Sequence, residues 1–166
     1  MIDNSCTYRT GIGQDSHRFL ASDQSKPLIL AGVLFDDEIG LYADSDGDVV
    51  LHSICNAITS IVHVPILGKV AKELCQKDGI TDSAVYVKKA IETLSKSNWK
   101  IENIALAIEA KKPRMQSKID QMREKIAEIM NLKKDQVGIT VTSGDGLTDC
   151  GCGEGVQCFC SLLVKN

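Results

Sequence analysis

Ser45-Asp46-Gly47-Asp48-Val49-Val50-Leu51-His52 opens a helical pattern whose Leu51, Ile54, Cys55, Ile58, Ile61 and Val62 fall on one face. Ser45 and Asp48 are spaced like a capping box at its start, and Pro65 ends it. Upstream, Tyr8, Thr10 and Ile12 alternate, and Pro27 to Phe35 is a β-rich stretch broken by Gly32, so the amino-terminal third reads as strands. Downstream, a second helix follows Asp82 with Val87, Ala90, Ile91 and Leu94 inside. A third, with Ser117 as its cap, carries Ile119, Met122, Ile126, Ile129 and Met130. Ile104, Leu106 and Ile108 alternate, as do Val137, Ile139 and Val141, and then Val156, Cys158, Cys160, Leu162 and Val164. This order predicts an α/β fold (an α+β sandwich), with one mixed β-sheet and helices layered on one face. No linker composition or internal repeat interrupts it, so residues 1–166 are expected to form a single domain.

With 43% apolar and 25% charged residues, the 166-residue chain can bury one ordinary core. Nineteen Lys and Arg against 22 Asp and Glu leave a net charge of −3, which argues against a nucleic-acid partner. The longest nearly unbroken apolar stretch, Leu28 to Phe35, is far short of the ~20 residues a membrane-spanning helix needs. Asp3 and Asn4 leave the first ten residues without an apolar signal region, so a cytoplasmic location is expected. The seven Cys then read as thiols, with Cys158 and Cys160 on the apolar side of the last strand.

Three His carry most of the candidate chemistry. Asp15-Ser16-His17 puts a carboxylate and an imidazole on one side of an extended segment, and Asp48 lies one helical turn before His52. Together the two pairs offer a divalent cation nitrogen and oxygen ligands. Taken alone, each pair is a weak signal, because Asp-x-His also occurs in solvated turns and Asp48 also suits a helix start. His63, between Val62 and Val64, reads as a partly buried histidine. Gly144-Asp145-Gly146 and Gly151-Cys152-Gly153-Glu154-Gly155 suit a backbone that approaches phosphate, with acids for Mg²⁺, or a plain strand connection. Lys111, Lys112, Arg114 and Lys118 form a basic group ahead of a helix. Cys150-x-Cys152 with Cys158-x-Cys160 is a four-thiolate possibility of poor spacing.

These motifs in this order resemble the 2-C-methyl-D-erythritol 2,4-cyclodiphosphate synthase family, whose signature is S-D-G-D-V-x-x-H. The resemblance continues through Gly68-Lys69, Ala110 to Gln116, Gln121-Met122-Arg123, Thr142-Ser143-x-Asp145 and Gly153-Glu154-Gly155. It implies a homotrimer with active sites at subunit boundaries, acting on a cytidine diphospho-substrate in non-mevalonate isoprenoid synthesis. It further implies one Zn²⁺ per chain on Asp15, His17 and His52, with Asp48 orienting His52. Asp145 would hold Mg²⁺ or Mn²⁺ with the substrate diphosphate. Catalytic roles fall on Asp44 and Ser143. Substrate contacts fall on Asp15, His17, Asp44, Ser45, Gly68, Thr142, Ser143 and Asp145, and on the cytosine-reading loop Ala110, Lys111, Lys112, Pro113, Arg114, Met115 and Gln116.

The chain departs from the family pattern at several points. Asp44 replaces a phosphate-facing His, Ile66 a ribose-binding Asp, Asp149 an aromatic residue, Cys152 an Arg, and Ala71-Lys72 the usual Phe-Pro. A carboxylate ~4 Å from a phosphate charge costs ~4 kcal/mol at an effective dielectric of 20, so Asp44 needs an offset, with Lys69 or a cation as candidates. Two rival readings are a non-catalytic zinc- and nucleotide-binding trimer and a thiolate metal or redox protein.

Overall fold

A computed structural model describes residues 6–21 and 24–166; Asp3 and Asn4 lie outside them. Strand β1 (Tyr8–Arg18) is followed by a hairpin of β2 (Pro27–Leu30) and β3 (Val33–Ile39). Then come helices α1 (Val49–Val62), α2 (Lys69–Asp78) and α3 (Ser83–Lys96), and strand β4 (Lys100–Glu109). Helix α4 (Ile119–Met130), β5 (Val137–Thr142), the one-turn α5 (Asp149–Cys152) and β6 (Gly155–Lys165) complete the chain. The sheet is mixed, in the order β1-β6-β4-β5, with β4 and β5 parallel and the other pairs antiparallel. The β2–β3 hairpin stands apart as its own two-stranded sheet, a correction to the single sheet expected. Its ladder pairs Leu28 with Phe35 and Leu30 with Val33 across the Ala31-Gly32 turn, and neither strand pairs with the main sheet.

One sheet face is covered. Ile104, Leu106, Ile108, Val156, Cys158, Cys160, Leu162 and Val164 are all buried, so Cys158 and Cys160 are core residues as expected. On β1 the expected alternation points the other way: Tyr8 and Ile12 are exposed, and the inward positions are Gly11 and Gly13. Helix α1 lies directly on that glycine strip, where a Cβ at Gly13 would come within 2.1 Å of the Ser53 carbonyl oxygen. Close approach needs an atom-free face, and the same face continues to Asp15 and His17.

The first helix is capped by Asp48, not by Ser45. The Asp48 carboxylate accepts from Val50 and Leu51 N–H, and also from Ala31 (2.9 Å) and Gly32 (2.6 Å) in the hairpin turn. Ala31 and Gly32 have positive φ, the geometry of a tight hairpin turn, so one buried carboxylate ties that turn to the helix start. Burial pushes this carboxyl above its ordinary value, and the surrounding N–H donors pull against that. Helix α2 was not expected. Its sequence, KVAKELCQKD, has few apolar residues and no capping residue ahead of it, only Gly68 in the left-handed region. Ser117 makes no cap: Gln116–Lys118 form a 3₁₀ turn that runs into α4. His63 is exposed, the left-handed cap of α1, because the helix stops before its ring can pack. Among the described residues no helix is long and apolar enough to cross a membrane.

Candidate functional site

The glycine strip brings the first turn of α1 against the end of β1. His52 Nδ1 and His17 Nε2 each lie 3.0 Å from Asp15 Oδ2, and 3.4 Å from one another. Among the described residues these three form the one cluster of three or more potential metal ligands. Ligand atoms at about 2.0–2.2 Å from a tetrahedral zinc are about 3.3–3.6 Å apart, so shifts of a few tenths of an ångström would admit such an ion. Two imidazoles and one carboxylate, with room left for a fourth ligand, are a donor set suited to catalytic zinc.

His17 is held by its other nitrogen, Nδ1–H donating to the Tyr42 carbonyl at 2.9 Å. Burial pushes the Asp15 carboxyl up, but hydrogen bonds from His17 and His52 outweigh it and hold the group at about 2. The bond to Asp15 raises His17 above the ordinary imidazole value, against the effect of burial.

The cluster opens into a cleft of about 820 Å³, whose walls include Asp44, Ser45, Gly68, Tyr42, Asn56, Lys72 and Tyr86. Asp44 and Ser45 therefore face the same space as the metal ligands. Lys69, a candidate counter-charge, lies outside the described side chains; among the described residues Lys72 is the cation that lines the cleft. Ile66 is buried in the core. Asp48 does not orient His52, because its oxygens are taken by backbone N–H groups. His52 Nε2 instead meets Ser83 Oγ at 2.8 Å, a contact that the sequence reading missed because Ser83 looked like a plain helix start after Asp82.

A second cleft, about 320 Å³, is lined by Ala110, Lys111, Pro113, Arg114, Met115, Gln116, Thr142 and Ser143, with Val141. Backbone bonds from Ala110 N to Thr142 O and from Lys111 N to Cys150 O fix its loop. Lys112 turns away, its Nζ 5.0 Å from the Phe19 ring centre, and Lys118 bonds the Leu34 carbonyl, so the basic group is not one patch. Asp145 stands exposed at φ 46°, with Ser143 Oγ donating to it at 3.0 Å. The two clefts share no lining residue. Cys150 and Cys152 belong to α5 while Cys158 and Cys160 lie in the core, so the four thiols form no ligand group.

Comparison with known proteins agrees in one direction. The YgbB family pattern matches residues 8–165. A Chlamydia caviae protein named 2-C-methyl-D-erythritol 2,4-cyclodiphosphate synthase is 55% identical over 157 residues, 95% of this chain and 89% of that one. Its namesake from Chlamydia muridarum is 54% identical over 162 residues, 98% and 90% of the two chains. The bifunctional IspDF of Campylobacter jejuni superposes with a TM-score of 0.87 at 28% identity, over 97% of this chain but only 43% of that larger one. A structure titled as the synthase in a CDP-bound form gives 0.77 at 25% identity, covering 94% and 99%.

Proposed function

The chain belongs to the YgbB family, and from that premise we propose that it is a zinc-dependent 2-C-methyl-D-erythritol 2,4-cyclodiphosphate synthase. It would convert 4-diphosphocytidyl-2-C-methyl-D-erythritol 2-phosphate into the 2,4-cyclodiphosphate. The 2-phosphate oxygen attacks the β-phosphorus, the α–β bridging bond breaks, and CMP leaves with that oxygen, so the protein acts as a phosphorus–oxygen lyase. The observation that carries this reading is the convergence of Asp15, His17 and His52 at 3.0–3.4 Å inside the larger cleft.

A zinc ion on those three residues supplies a Lewis acid for a phosphate oxygen. The chain's own part is alignment and charge. A phosphate nucleophile is already ionised at neutral pH and needs no general base. Asp44 and Ser45 border the reacting phosphates, and Lys72 brings positive charge to the same wall. The loop from Ala110 to Gln116 would read cytosine through its backbone, with Thr142 and Ser143 beside the diphosphate. Asp145 offers a hard oxygen for the Mg²⁺ or Mn²⁺ that accompanies it.

We assign the working form as a homotrimer. Two clefts with no residue in common, on one chain, fit sites completed by a neighbour, and the uncovered sheet face is apolar. Metal analysis with a CMP-release assay tests the function. About one zinc per chain with CMP release supports it; cytidine-nucleotide binding without release would make the chain a non-catalytic relative.

A further inference from the structure

We propose that Ser83, backed by Asp46, is a positioning residue that fixes which nitrogen of His52 carries the proton and so aims the other at the metal site. The inference rests on the metal reading above and adds residues to it.

Ser83 Oγ makes a very short contact with Asp46 Oδ1, and Ser83 N–H donates to Asp46 Oδ2 at 2.9 Å. An ionised carboxylate only accepts, so the Ser83 hydroxyl proton belongs to Asp46. What Ser83 Oγ then turns toward His52, 2.8 Å away, is a lone pair, and His52 Nε2 must bear the hydrogen. Nδ1, the atom that faces Asp15 and His17, is then the nitrogen whose lone pair a metal would take, in place of its hydrogen bond to Asp15. Ser45 Oγ also lies near Nε2, at 3.3 Å, and accepts from Gly47 N–H at 3.2 Å; it is the longer of the two contacts to the ring, and the Ser83 contact at 2.8 Å dominates.

The capping of α3 does not need this hydroxyl. Helix α3 is capped by Asp82, whose side chain accepts from Ala84 N–H, and alanine is a better helix former than serine. Yet Ser83 is fully buried, where an unpaired hydroxyl would be costly, and its oxygen is spent entirely on Asp46 and His52. Asp46 is itself fixed by Asp48 N–H at 3.0 Å. The two histidines are thus set by different means: His17 by a main-chain carbonyl, His52 by a side-chain relay that substitution can remove.

Partners that orient a ligating histidine typically change metal affinity 10–100-fold when lost. Ser83→Ala, in the full-length zinc-loaded protein, should therefore lose zinc to a competing chelator at 10–100-fold lower chelator strength, with unchanged far-UV circular dichroism. In nitrogen-resolved NMR of the wild-type protein at pH 8.5, His52 should show a slowly exchanging proton on Nε2, and Ser83→Ala should abolish that protection. A folded Ser83→Ala protein with wild-type zinc affinity would overturn the proposal. So would a wild-type ring protonated only on Nδ1, a result that stands even if the variant does not fold. If the wild-type chain takes up no zinc the metal reading falls, and the Nε2 signal of the metal-free protein still decides the relay.

Discussion

Lys26 Nζ donates to the carbonyl oxygen of Ala43 at 3.1 Å, and the same ammonium reaches the carbonyls of Leu41 and Ser45. One cation at the mouth of the β2–β3 hairpin therefore gathers the segment that presents Asp44 and Ser45 to the larger cleft. Burial lowers the Lys26 pKa, and the charges of Asp46 and Asp44 oppose that shift. Stranding a buried acceptor costs about 1–3 kcal/mol. Lys26→Met should lower the melting temperature and raise KM for the substrate. Zinc content should hold, since the Tyr42 carbonyl that orients His17 is not one of the three bonded by Lys26. Unchanged melting and unchanged KM would show the clamp to be idle.

Asp44 lines the larger cleft together with Lys72, and its charge also acts on the Lys26 ammonium behind the wall. If the proposed function holds, Asp44 is expected to serve as a cation ligand or as an acceptor for substrate. Asp44→His should then slow CMP release at least tenfold, about 1.4 kcal/mol in the barrier. Equal or faster turnover would mean the carboxylate is only tolerated.

How far the sequence reached is clearest on β1 and α1. The cluster of Asp15, His17 and His52 was legible because period-2 and period-3.6 spacing place side chains within one element, and the family resemblance joined the two elements. The side of β1 that faces the helix was not legible, since its inward residues are glycines and apolar patterning sees only Tyr8 and Ile12. The partner of His52 was misjudged for a related reason: Asp48 is adjacent along the helix, but its carboxylate turns to Ala31 and Gly32, while Ser83 arrives from 31 residues away. Helix α2 escaped because it is only ten residues long, polar on average, and has no capping residue ahead of it.

Asp145 sits at positive φ, a conformation that Asn tolerates as well as Asp, so Asp145→Asn keeps the loop while removing the charge. If this oxygen holds the second metal, the variant should require more Mg²⁺ for half-maximal turnover and still bring one zinc per chain. An unchanged Mg²⁺ titration would remove Asp145 from the mechanism.

The Asp15–His17 pair makes stability depend on pH in the metal-free protein. His17 is raised above its unfolded value near 6.5, so its contribution is fully present below that pH and is lost as pH rises through the folded value. Asp15 is held at about 2, below its unfolded value of 3.8, so its contribution is present above 3.8 and is lost as pH falls through 2. Denaturant midpoints taken in chelator should therefore fall between pH 6 and pH 8, and the fall should shrink in His17→Gln. Zinc should reverse the slope, because binding displaces the His17 proton and gains strength as pH rises. Equal midpoints at both pH values would contradict the Asp15–His17 coupling.

The open face of the sheet sets the last expectation. Ile12 is 68% exposed and Phe159 44%, and both line an apolar hollow of about 370 Å³ with Ala105, Ala107 and Ile139. A patch of this kind on an otherwise charged chain calls for a cover. In a closed three-fold arrangement each chain turns the same face to the axis, so three copies bury three hollows at once. Light scattering should then report about three times 18.0 kDa. Phe159→Glu would place three like charges around the axis and should dissociate the assembly. The proposed zinc ligands all belong to one chain, so the dissociated protein should keep any zinc it holds yet lose CMP release, because its two clefts would no longer meet a neighbour's. A monomeric Phe159→Glu protein with full turnover would show that one chain completes the site by itself.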